Sequence, residues 1–78
     1  MFPTTTGTPI NPLHVAAIQR LLPGDVERSP RFSHEAVLSG GSRVRLTATE
    51  ATALQAATTQ IIEAIRLLSM ASTVTPVL

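Results

Sequence analysis

Hydrophobic positions along the chain fall into three patterned stretches separated by turn-forming residues. The longest begins at Thr47 and runs to about Ser72. Leu54, Ala57, Ile61, Ile65 and Leu68 recur at spacings of three and four, which places them on one side of an α-helix, and Ile62 widens that stripe. Thr47-Ala48-Thr49-Glu50 matches a capping box, in which the threonine hydroxyl accepts the N–H three residues on and the glutamate reaches back to the threonine N–H. The sequence therefore predicts a helix from Ala48 to Ser72 whose main stripe enters the chain's own core. Leu67 and Met70 fall on the opposite side, so the far end of the helix carries a second apolar face that asks for another surface.

The middle stretch alternates. Arg43, Arg45 and Thr47 share one face of an extended segment, and Val44 and Leu46 share the other. Ser39-Gly40-Gly41-Ser42 precedes it as a turn, so Ser33 to Leu38 is the expected partner arm of a β-hairpin. Glu35 and Ala36 are poor strand formers and weaken that first arm.

The first patterned stretch opens at Asn11-Pro12, a cap residue followed by a proline suited to the first helical position. Leu13, Ala16, Ala17, Arg20 and Leu21 then read as one side of a helix from Pro12 to Leu22, ended by Pro23-Gly24. Asp25 to Pro30 reads as a polar linker. Residues 1–10 are rich in Thr and Pro and are expected to be an extended arm. Residues 73–78, with Pro76 blocking further helix, are expected to be an extended tail.

The fold class that follows is α+β: a short N-terminal helix, a small β-hairpin, one long C-terminal helix and extended termini, with residues 11–72 as a single small domain. An all-α helix pair with an irregular middle is the alternative.

Composition narrows the function. Seventy-eight residues bury only about 60–65% of the surface that the unfolded chain exposes, so a second source of stability is expected. There is no cysteine to supply a disulfide or a thiolate metal site. Oligomerisation, or docking into a larger complex, is the remaining route. Phe2 and Phe32 are the only aromatic residues. No apolar run approaches the roughly 20 residues that span a bilayer, and the first residues lack the basic and apolar regions of a signal peptide. The expected location is cytoplasmic or within an assembled particle such as a virion.

Candidate chemistry is sparse. His14 and His34 have no cysteine or carboxylate cluster beside them, and no serine or threonine sits in a nucleophile motif. No metal, no cofactor and no enzymatic activity is expected. Net charge is +1, too small to act as an electrostatic footprint for nucleic acid by itself. Arg28, Arg31, Arg43 and Arg45 could nonetheless form a modest basic patch.

The segment Arg43-Val44-Arg45-Leu46-Thr47, followed by Glu50, Leu54 and Ile61-Ile62-Glu63-Ala64-Ile65-Arg66-Leu67-Leu68, resembles the ribbon-helix-helix DNA-binding proteins. That resemblance implies a dimer whose paired strands enter the major groove, with Arg43 and Arg45 as the candidate nucleic-acid contacts. It spans about 30 residues. Ala56-Ala57-Thr58-Thr59-Gln60 departs from the family by reading as continuous helix where a turn belongs.

The function expected first is that of a small structural subunit, packing through its long helix and its arms into a larger assembly of virion or secretion type. Its partners would be copies of itself or other subunits. The interface candidates are Phe2 and Ile10 on the first arm and Leu67, Met70, Val74, Val77 and Leu78 at the other end. A small dimeric DNA-binding regulator is the alternative.

Overall fold

The structure is a computed structural model that describes residues 1–74, with side chains through Met70. It has a mixed α+β fold. Three antiparallel strands, β1 (Val15–Arg20), β2 (His34–Leu38) and β3 (Arg43–Leu46), lie in the order β1-β2-β3. A short helix, α1 (Pro23–Arg28), joins β1 to β2, and a long helix, α2 (Ala48–Val74), follows β3.

The hairpin of β2 and β3 forms as the alternation predicts. Val44 and Leu46 are buried, whereas Arg43 and Arg45 face outward. Gly41 sits in the turn at φ +91°, a backbone conformation that L side chains rarely adopt. Glu35 and Ala36 overcome their weak strand propensity because β2 is the central strand, paired on both edges. Ala36 is fully buried, and the Glu35 carboxylate accepts from Gln19 Nε2 at 2.7 Å and from Arg43 Nη1 at 2.9 Å on the outer face.

The expected helix from Pro12 to Leu22 does not form. Asn11 does cap: its Oδ1 accepts from the Leu13 N–H at 3.0 Å, but only one 3-10 turn follows, Pro12–His14. The chain then extends as β1, with a register shift between Val15 and Ala17. The physical reason is tertiary. A two-stranded hairpin is marginal alone, and a third strand satisfies the free edge of β2 and lays Val15 and Ile18 on the core. Pro23 likewise opens a helix instead of closing one. Leu22 before it is extended, and Pro23 occupies the first turn of α1, where its missing N–H costs nothing. The expected linker is therefore mostly helix, and an all-α arrangement is excluded by the sheet.

Residues 1–10 are a folded-back loop, not an extended arm. Phe2 and Ile10 exchange backbone hydrogen bonds at 2.7 and 2.8 Å, and Gly7 turns the chain at φ +86°. Ile10 is 0% exposed and shares the core with Ala36, Val44, Leu46, Ala51 and Leu54, with Phe2 packed against them. Each fully buried large aliphatic side chain here is worth about 1.5–3 kcal/mol.

The start of α2 is as the sequence predicts. Thr47 Oγ1 accepts from the Glu50 N–H at 3.2 Å, and Glu50 Oε1 accepts from the Thr47 N–H at 2.9 Å. The helix is still helical at Thr73 and Val74, which the sequence assigns to the tail. Val77 and Leu78 lie outside the described residues.

Candidate interaction surface

The stripe predicted for the core is buried only at its beginning. Ala51 and Leu54 are buried, Ile61 is half-buried, and Ile65 and Leu68 are 55% and 70% exposed. The reason is a mismatch of length. Twenty-seven helical residues extend about 40 Å, whereas strands of four to six residues extend about 13–20 Å. The sheet ends before the helix does. The molecule is accordingly long, 62 × 19 × 19 Å, with a radius of gyration of 16.1 Å against about 11–12 Å for a compact chain of this length.

At about 100° per residue, Ile61, Ile65 and Leu68 lie within about 40° of Leu54, and Ile62 lies about 80° to one side. This uncovered stripe carries no charged residue. Glu63 and Arg66 lie on the far side, about 180° and 120° from Leu54. Leu67 and Met70, 65% and 55% exposed, flank Glu63 there and form the second apolar face that the sequence predicts. Ile62, Ile65 and Leu68, which the sequence assigns to the core, therefore belong to the exposed surface. The length of α2 relative to the hairpin is the one signal in the sequence that points to this.

Among the other interface candidates, Phe2 is half-buried against the core, and Ile10 is completely enclosed by its own chain, so Ile10 offers a partner no free side chain. For Ile10 this is a correction, and it follows from the hairpin-like closure of residues 1–10. Val74 is placed as helix, with its side chain outside the description.

Three of the four candidate arginines are drawn into ion pairs. Arg43 Nη1 lies 2.9 Å from Glu35 Oε1. Asp25 Oδ1 takes both Arg45, at 3.7 Å, and Arg28, at 3.8 Å. Arg31 stacks over the Phe32 ring at 5.6 Å. The structure thus brings Arg28 and Arg45 together through a shared carboxylate. β3 pairs with β2 within the chain, and its other edge is the edge of the sheet.

His34 Nδ1 lies 2.6 Å from Ser33 Oγ beside a shallow recess lined also by Ile18, Ala51, Thr52 and Gln55. Among the described residues, no three His, Cys, Asp or Glu side chains are placed to hold a metal ion, and no helix is long and apolar enough to cross a membrane. No protein-family model, curated protein or solved structure matches the chain.

Proposed function

We propose that this protein is a small structural subunit that packs into a larger multi-chain assembly through the free half of α2. The observation that carries the reading is the run of large aliphatic side chains from Ile62 to Met70, each 55–70% exposed on a helix that has outrun its own sheet. Large apolar side chains left exposed next to one another, as at Ile62, Ile65 and Leu68, mark a contact site. The proposed contact has two faces, Ile61, Ile65 and Leu68 on one side and Leu67 and Met70 on the other, as suits a subunit with more than one neighbour.

A photo-crosslinking residue at Leu67, introduced in the source cell, tests this. Discrete protein adducts are expected at Leu67 and not at Thr59, which is exposed about 12 Å nearer the start of α2. Absence of adducts at Leu67 would overturn the reading. The DNA-binding alternative has weaker support, because Arg43 and Arg45 both meet carboxylates.

A further inference from the structure

We infer that the occupant of the Ile61–Ile65–Leu68 stripe is a second copy of this chain, docked antiparallel so that the free halves of the two α2 helices lie side by side. This rests on the reading of the free half of α2 as a contact surface and goes further by naming the partner and its orientation.

The orientation follows from which face is bare. The stripe that meets the chain's own sheet at Ala51 and Leu54 is the same stripe that is uncovered at Ile65 and Leu68. In a parallel pair the two helices would face each other along these stripes for their whole length. Each would then hold its sheet in the space occupied by the other's sheet. Helix axes in contact lie about 8–10 Å apart, too close to admit two such layers in a body 19 Å across. Reversing one copy removes the conflict. Each free half then lies along the other, and each sheet sits beyond the partner's helix end. The overlap available, from Ile61 to Val74, is about 20 Å, or two heptads.

The pattern within the overlap supports pairing of like with like. Ile61, Ile65 and Leu68 follow the alternating three- and four-residue spacing of a helix–helix seam. With the two-fold axis level with Arg66 and Leu67, Ile65 of one copy packs beside Leu68 of the other. Ala64 borders the seam and lets the backbones approach closely. Self-association places identical surfaces together, and this stripe contains no charge that would repel its copy.

Area sets the strength. Ile62, Ile65 and Leu68, 55%, 55% and 70% exposed, with the exposed part of Ile61 and the neighbouring alanines, offer on the order of 500 Å² per copy. The total of about 1,000 Å² is at the lower bound for a specific interface. A weak, reversible dimer is expected.

Sedimentation equilibrium of the purified chain from about 1 µM to about 1 mM tests this, with a nitroxide on Ala56→Cys for pulsed dipolar distances. The chain has no native cysteine, so this label is unique. The expected result is a monomer–dimer equilibrium with a label separation of about 30 Å or more. A parallel pair would give less than about 20 Å. Ile65→Glu with Leu68→Glu should weaken dimerisation at least about 30-fold with unchanged circular dichroism. Should that variant not fold, Ile65→Ala with Leu68→Ala should give a smaller loss in the same direction. A monomer throughout, a short label distance, or a dimer indifferent to these substitutions would overturn the inference. Cellular adducts at Leu67 alongside a purely monomeric chain would sink the self-pairing alone and leave the assembly reading standing. A dimer without adducts would do the reverse.

Discussion

Glu50 and Thr5, 45 residues apart, are joined by two hydrogen bonds to one oxygen: Glu50 Oε2 accepts from the Thr5 N–H at 2.6 Å and from its hydroxyl at 3.1 Å. The other oxygen caps α2 through the Thr47 N–H. One carboxylate thus closes the N-terminal loop over the core and fixes the first turn of the long helix. Glu50→Ala should destabilise the fold by about 1–2 kcal/mol, in the range of a lost cap. Urea denaturation gives the total, and faster amide exchange at Thr5 would report release of the loop. An unchanged Thr5 exchange rate would contradict the clasp.

Acid should act through the same group. Burial pushes the Glu50 pKa up, but hydrogen bonds from the Thr47 and Thr5 backbones and from both hydroxyls outweigh it, and the pKa lies below the ordinary glutamate value. A group with a depressed folded-state pKa contributes stability that is fully present above the unfolded value. That contribution disappears as pH falls through the folded value. The urea midpoint should therefore drop in the acid range, and Glu50→Gln should flatten part of that drop. Carbonyl NMR titration of Glu50 gives the shift directly; a pKa above the ordinary value would refute the sign.

The two ends of the α2 stripe should respond differently to truncation. Leu54 is completely buried, and Leu54→Ala should cost about 2–5 kcal/mol, enough to threaten a chain of this size. Leu68, 70% exposed at the same helical angle, should cost about 0.5 kcal/mol or less when changed to Ala at low protein concentration. Thermal melts of dilute samples compare them. Equal losses would mean that the far end is covered within the monomer.

Arg43 and Arg45 should also separate. The Glu35 carboxylate beside Arg43 is 12% exposed, whereas Arg45 and Asp25 are 41% and 31% exposed at 3.7 Å. Removing Arg43 leaves a largely enclosed carboxylate with Gln19 as its remaining side-chain donor. Arg43→Ala should be the more destabilising by about 1 kcal/mol, while Arg45→Ala should lie near zero, as exposed pairs do. Chemical denaturation of both variants checks the order.

In the hairpin turn, Gly41→Ala should cost about 1 kcal/mol because its φ is +91°, and Gly40→Ala should be close to neutral. Denaturation midpoints for the pair check it; equal effects would show that the turn does not require a left-handed residue at position 41.

Local chemistry in the sequence determined the features whose partners lie close by. The capping box of Thr47 and Glu50, the alternation of Arg43 to Leu46, the glycine turn and the helix from Ala48 all depend on neighbours within a few residues. Tertiary structure decided the rest. Pro12 to Leu22 has a helical pattern, yet Val15 to Arg20 became a strand because β2 offered a free edge. Ile10 left an apparently extended arm for the core because Phe2 and Glu50 closed the loop beneath it. The uncovered half of α2 depended on where the sheet stops. Periodicity reveals which side of a helix is apolar; what lies against that side depends on the extent of the neighbouring layer.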